Sequence, residues 1–128
     1  MRNSLLALTL GLTACQASPP TPLSDAELRG LTVAGVFERP VALTEGAYQG
    51  PPYVPEGAAR PNLTLIEPLQ LRGDLDGDAV EEVGVLLIGQ SGGSGERLYL
   101  AVAGRAGANA RNLATRLVGD RVQVRRFR

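Results

Sequence analysis

The segment VGVLLIGQSGGSGERLYLAV, residues 83–102, decides the fold. Its two apolar runs, 83–88 and 98–102, are hydrophobic at both alternate positions, which is typical of central strands covered on both faces. The residues between them are rich in glycine and serine and are numerous enough for a hairpin loop. We therefore predict two neighbouring strands in the middle of a sheet.

Further strands are predicted on both sides of this pair. Leucines alternate with polar residues between 62 and 71, which predicts a strand with one buried face, and Pro68 within it indicates an edge position or a bulge. Residues 121–125 alternate in the same way, and this predicts a last strand with Val122 and Val124 pointing inward. The expected sheet is therefore mostly antiparallel.

The N-terminal part of the domain carries the signals of one short helix. Ser24 and Glu27 form a capping-box pattern, and Gly30 is expected to end the helix. Its apolar side would be formed by Leu23, Leu28 and Leu31. After it, residues 32–37 predict a short strand, and glycine and proline predict an irregular stretch over residues 46–57.

Together these elements predict a small, mainly β, single domain over residues 24–128, with α+β as the alternative class. It is expected to be a mostly antiparallel sheet or sandwich with one short N-terminal helix. No period of 20–50 residues repeats, which excludes a solenoid or a propeller.

The amino-acid composition disfavours two classes of function, nucleic-acid binding and most enzymatic catalysis. The chain has 128 residues, 13 basic and 13 acidic, so its balanced net charge gives no reason to expect nucleic acid as a partner. It contains no histidine, and all of its basic residues are arginine, which removes most general bases and nucleophile activators. Residues 89–93 fit the nucleophile pattern G-x-S-x-G around Ser91, but no histidine is available and the glycines that follow disfavour the required helix. We expect a protein that is not an enzyme.

The N-terminus has the pattern of a secretion signal. Arg2 precedes an apolar run over residues 5–12, which is far shorter than a membrane-spanning helix of about 20 residues. The sequence LTAC that ends at Cys15 resembles the lipobox of bacterial lipoproteins. That resemblance implies a signal peptide over residues 1–14 and a lipid on Cys15 that anchors the protein to the membrane. Three prolines and the lack of large apolar side chains over residues 16–22 predict an extended linker, residues 15–23, between the anchor and the domain. The lipobox resemblance also implies the cell envelope, and, with Gln16 after the cysteine, the outer membrane of a host with two membranes.

The stretch GDLDGDAVEE, residues 73–82, is the one motif that carries chemistry. Its acidic side chains repel one another, a cost that a bound dication would remove, and calcium requires six to eight oxygen ligands. The predicted ligands are the side chains of four residues and one main-chain carbonyl: Asp74, Asp76, Asp78 and Glu82, and the carbonyl of Val80. The spacing resembles the calcium loops of integrin-type FG-GAP repeats, which lie between two strands.

Two positions depart from the FG-GAP pattern. Ala79 stands where these loops usually carry glycine, so Gly77 is expected to take the sharp turn earlier, and Glu82 is longer than the usual aspartate. The alternative is a solvated acidic turn that binds no ion.

These features leave three hypotheses for the function. The first is a non-catalytic, lipid-anchored envelope protein whose β domain is stabilised by calcium and contacts another envelope component. The second is a module that binds a small ligand or a peptide, in which the acidic loop is only a turn. The third is an enzyme limited to carboxylate or metal-assisted chemistry. Residues 73–124 also resemble uncharacterised bacterial envelope lipoproteins, which favours the location but implies no activity.

Overall fold

The computed structural model describes residues 21–92 and 95–127, and within them the chain forms one short helix and seven strands. In chain order they are α1 (Asp25–Arg29), β1 (Thr32–Val33), β2 (Val41–Ala42), β3 (Ala47–Gln49), β4 (Pro61–Gly73), β5 (Glu82–Ser91), β6 (Arg97–Ala106) and β7 (Asn109–Asp120). The predicted signal peptide over residues 1–14, the predicted lipidation site Cys15 and most of the linker lie outside the described residues.

Five of the strands form one large antiparallel sheet, in the order β3-β4-β5-β6-β7. Strands β1 and β2 form a separate antiparallel pair. Every neighbouring pair in the large sheet is antiparallel and joins strands that follow one another along the chain. The prediction of a small, mainly β domain with an antiparallel sheet and one short helix is confirmed.

Strand β5 occupies the centre of the sheet, and its residues are buried from Glu82 to Leu87. Val83, Val85 and Leu87 point to what we call the first face, opposite Ala103, Ala101 and Tyr99 of β6. Gly84, Leu86 and Ile88 point to the second face. Burial at both alternate positions is the reason why the run over residues 83–88 lacks a polar side.

The first face is covered by the helix and the small strand pair. Ser24 and Glu27 form the predicted capping box, in which the Glu27 amide donates to Ser24 Oγ at 3.1 Å and the Ser24 amide donates to Glu27 Oε2 at 2.8 Å. The predicted apolar side of the helix and the small strands complete the core: Leu23, Leu28, Leu31, Val33, Val41 and Leu43. Each fully buried leucine contributes about 2 kcal/mol to folding, so this layer holds the helix on the sheet.

Among the residues that the structure describes, the cover of the second face is the C-terminal segment, residues 121–127. A Cβ atom placed on Gly84 would lie 3.4 Å from Phe127 Cζ, which shows how closely this segment crosses the sheet. Leu86 and Leu98 are buried on this face but are separate from the main core. The second face therefore has a thin and partial cover.

The predicted strand over residues 121–125 is wrong. Arg121 has a φ of 52°, which turns the chain away from the sheet, and the residues after it form no ladder with another strand. Val124 is half-buried, whereas Val122 is 43% exposed. The last strand is instead β7, which pairs with β6 over its whole length.

Two other stretches differ from the sequence-based prediction. Only Thr32–Val33 of the predicted strand over residues 32–37 is extended, because Gly35 follows with a φ of 86°. The stretch over residues 46–57 is not wholly irregular, since Ala47–Gln49 forms the edge strand β3 against β4. Pro68 lies at a register shift between β4 and β5, so the predicted bulge is confirmed.

Candidate metal centre

The acidic loop, residues 74–81, connects β4 to β5 and is organised by its first aspartate. Asp74 Oδ1 accepts hydrogen bonds from the amides of Gly77, at 2.7 Å, and Asp78, at 3.1 Å. Asp74 Oδ2 accepts from the amide of Ala79 at 2.8 Å. One carboxylate thus binds three successive parts of the loop and fixes its curvature.

The next two aspartates continue this pattern. Asp76 Oδ1 accepts from the Asp78 amide at 3.1 Å, and Asp78 Oδ1 accepts from the Val80 amide at 2.9 Å. Each of these contacts uses one carboxylate oxygen and leaves the second oxygen, as well as further lone pairs, for another partner. Val80 takes part in these hydrogen bonds through its amide, whereas its predicted role as a ligand concerns its carbonyl.

Two residues of the loop take a left-handed backbone. Gly77 has a φ of 82° and Ala79 a φ of 65°. Gly77 therefore takes a turn conformation as expected, but Ala79 also adopts the left-handed conformation that glycine favours, which was not predicted. An alanine in this conformation costs about 1–2 kcal/mol, and the hydrogen bond from its amide to Asp74 helps to hold it there.

The folding of the loop brings the predicted side chains together. Asp74, Asp76, Asp78 and Glu82 each present a carboxylate oxygen, and these four oxygens lie within 4.8 Å of one another. Two ligands of one calcium ion, each about 2.4 Å from it, lie no more than about 5 Å apart. The four carboxylates therefore form a group that can hold a metal ion.

Glu82 differs from the three aspartates because it is buried. It is the first residue of β5, it is 2% exposed, and its Oε2 accepts a hydrogen bond from the Leu75 amide at 2.7 Å. This hydrogen bond acts to lower the pKa of Glu82, but burial and the charges of Asp76 and Asp78 outweigh it, so that the pKa is raised. The Val80 amide and Asp76 lower the pKa of Asp78.

The cluster has no cationic side chain to balance it. Within residues 21–92 and 95–127, no arginine forms an ion pair with any of the four carboxylates. Arg72 comes to the end of the loop, but it donates to Glu81 at 3.3 Å and to the Leu23 carbonyl at 2.8 Å. In the described part of the chain, the hydrogen bonds that orient the four carboxylates come from backbone amides.

The burial of Glu82 could not be inferred from the motif. Gly104 of β6 leaves space that the side chain of Leu113 occupies beside Glu82, because an added Cβ atom there would lie 2.7 Å from Leu113 Cδ1 and 3.7 Å from Glu82 Cγ. A glycine opposite an acidic residue on a neighbouring strand is the only sequence signal, and it has meaning only once the strand register is known.

The apparent nucleophile pattern around Ser91 lies in a different context from a hydrolase elbow. Ser91 is the last residue of β5, and the chain continues into β6 of the same antiparallel hairpin rather than into a helix.

Among the described residues, no helix is long and apolar enough to cross a membrane.

No protein-family model, curated protein sequence or solved structure matches the chain. Its function is therefore inferred from the residues and geometry of the site.

Proposed function

We propose that this chain is a non-catalytic, lipid-anchored protein of the bacterial cell envelope whose β domain binds one calcium ion in the acidic loop. The observation that supports the ion site is the convergence of four carboxylate oxygens within 4.8 Å. The carbonyl of Val80 and water would complete the six to eight oxygens that calcium takes. Calcium is favoured over magnesium because magnesium needs a tighter octahedron and retains its waters.

The proposed role of the ion is structural. The loop joins two strands of the sheet, and Glu82 begins the central strand β5. A dication there would offset the repulsion among the carboxylates and the burial of Glu82 at once. Calcium would therefore fasten the β4–β5 connection, and the rest of the domain would be free to contact another component of the envelope.

Isothermal titration calorimetry of the purified chain tests the ion. We expect one calcium per chain, and magnesium at the same concentration should compete weakly. Asp76→Asn, which keeps the oxygen that accepts from the Asp78 amide, should abolish the calcium heat. Glu38→Gln removes one exposed charge outside the loop and should leave binding unchanged. Absence of calcium heat in the parent chain would refute the ion site.

The anchor is proposed on the lipobox alone, and its test is separate. In a bacterial host, mass spectrometry of membrane fractions should find the mature chain beginning at a lipid-modified Cys15. Cys15→Ser should leave an uncut precursor without lipid. A parent chain that retains Met1 and carries no lipid would refute the anchor and leave the ion site unaffected.

A further inference from the structure

The balanced net charge of the chain hides a strong separation of charge. Eight arginines follow residue 96 but only one acidic residue, Asp120, does. Arg105 is paired with Glu27. Five others lie on β7 and in the C-terminal segment, are exposed, and form no ion pair within the described part of the chain: Arg111, Arg116, Arg121, Arg125 and Arg126. The C-terminal quarter is therefore a cationic region.

Most of these arginines lie along one border of the second face. Arg111 and Arg116 are opposite Gly104 and Leu100, whose strand positions point to that face. Arg125 and Arg126 line an open cavity of about 520 Å³ over the same face. We call this border the arginine surface, and with its exposed apolar side chains it comprises Arg111, Leu113, Arg116, Val118, Val122, Arg125 and Arg126.

Apolar side chains are exposed between the arginines. Leu113 is 49% exposed and Val118 is 51% exposed, and each is the extra residue at a register shift between β6 and β7. The cavity next to them has apolar walls that include Leu86, Leu98 and Leu100. A surface that alternates guanidinium groups with exposed leucine and valine fits an interface that is both anionic and apolar.

We propose that the arginine surface lies against an anionic lipid bilayer. The guanidinium groups would contact lipid phosphates, and Leu113, Val118 and Val122 would enter the headgroup region. Nucleic acid would satisfy the charges but not the exposed apolar side chains. Among the described residues, the aromatic ring beside this surface is that of Phe127, which is half-buried over the sheet and not free to stack on a base.

The N-terminal segment reaches the sheet on the first face beside β7, and its length still allows the arginine surface to meet a bilayer, in a step that rests on the proposed anchor. Arg105 of β6, beside β7, holds the carbonyls of Thr21 and Pro22 at 2.7 and 3.2 Å. The chain between Cys15 and Thr21 can reach at most about 22 Å when fully extended. A lipid on Cys15 would therefore keep β7 close to the bilayer.

Vesicle co-sedimentation of the expected mature chain, residues 15–128 carrying Cys15→Ser, tests the surface without the lipid and without the apolar run over residues 5–12. The vesicles are phosphatidylcholine, with or without one third phosphatidylglycerol, and chelator is present so that the result does not depend on the calcium site. The chain should prefer the anionic vesicles. Each arginine near an anionic surface contributes about fivefold, so Arg116→Gln/Arg125→Gln should weaken binding about 30-fold.

A matched double variant removes the same charge elsewhere. Arg39 and Arg60 are exposed outside the arginine surface, and Arg39→Gln/Arg60→Gln should change binding less than threefold. Val118→Ser should weaken binding about fourfold, because half of the valine surface is free to become buried.

Three results would overturn the proposal. One is equal binding to neutral and anionic vesicles, and another is an equal loss in the two double variants. The third is tighter binding to duplex or single-stranded DNA than to the anionic vesicles at the same salt concentration, lost in Arg116→Gln/Arg125→Gln, which would assign the surface to nucleic acid.

Discussion

Two acidic regions of this domain differ in the groups that contact their carboxylates. At helix α1, Glu27 binds the guanidinium of Arg105 at 2.8 Å, and Asp25 lies 3.4 Å from Arg72. In the acidic loop, the hydrogen-bond donors to Asp74, Asp76 and Asp78 that the described residues provide are backbone amides. The first region is balanced by arginines of the chain itself, whereas no arginine among residues 21–92 and 95–127 pairs with the second.

The difference is also visible in the ionisation of the two glutamates. Arg105 and the Ser24 amide lower the pKa of Glu27 to about 2, so its charge is favoured by folding. Burial and like charges raise the pKa of Glu82 despite the Leu75 amide, so its charge is disfavoured by folding. Under the proposed function, a dication bound beside Glu82 would compensate for its burial and for the neighbouring charges.

Disrupting the region that arginines balance should have the largest effect. The side chain of Arg105 is 14% exposed and donates to three backbone carbonyls as well as to Glu27. Arg105→Gln should lower the free energy of unfolding by about 3 kcal/mol, because several acceptors lose a charged donor. Urea denaturation should find the same loss with calcium and with chelator.

Arg60→Gln serves as the control for this variant. Arg60 is exposed, and its replacement should change the free energy of unfolding by less than about 0.5 kcal/mol. If Arg105→Gln were equally mild, the helix would not be held by this ion pair.

The two regions should respond differently to a fall in pH. Calcium requires ionised Glu82, whose pKa is raised, so calcium affinity should weaken as pH falls from 7 towards 4.5, by up to about tenfold per pH unit below that pKa. Without calcium, the raised pKa means that acidification over this range favours the folded loop. The contribution of Glu27 remains until pH falls below 4.5 and is lost towards pH 2.

Calorimetry over this pH range measures the effect. Glu82→Gln should bind calcium more weakly at pH 7 and with a shallower pH dependence. Constant calcium affinity from pH 7 to 4.5 would exclude Glu82 from the ligand set.

The smallest expected effect is at the backbone of the loop. Ala79→Gly should relieve the left-handed strain but loosen the unfolded chain, for a net gain in the free energy of unfolding of about 0.5 kcal/mol. Ala58→Gly, at an exposed residue outside the left-handed region, should be destabilising by a similar amount. Thermal unfolding of both variants decides between these signs, and a loss of stability in Ala79→Gly would show that the conformation is not strained.

The sequence was informative where each local signal agreed with the packing. The capping box of Ser24 and Glu27 forms as predicted, because it depends on residues three apart. The run over residues 83–88 is buried on both faces, as expected of a central strand. The grouping of the four carboxylates was also predictable, because their close spacing around a tight loop brings them together.

Strand β7 could not be recognised in the same way. Register shifts at Leu113 and Val118 each reverse the alternation of inward and outward residues, so no period of two remains in the sequence. Residues 121–125 show the opposite case, since they alternate in sequence but form no ladder with another strand. The arginine surface could not be predicted either, because it depends on the register of β7 and because the net charge of zero does not reveal how the charges are distributed.

Thermal unfolding of the full chain with calcium and with chelator tests the central claim most directly. Because the four carboxylates converge only in the folded chain, calcium at 100 times its dissociation constant should stabilise the fold by about 2.7 kcal/mol. The melting temperature should rise with calcium concentration in the parent and in Glu38→Gln, but not in Asp76→Asn. A melting temperature that does not change at millimolar calcium would contradict the account and reduce the loop to an acidic turn.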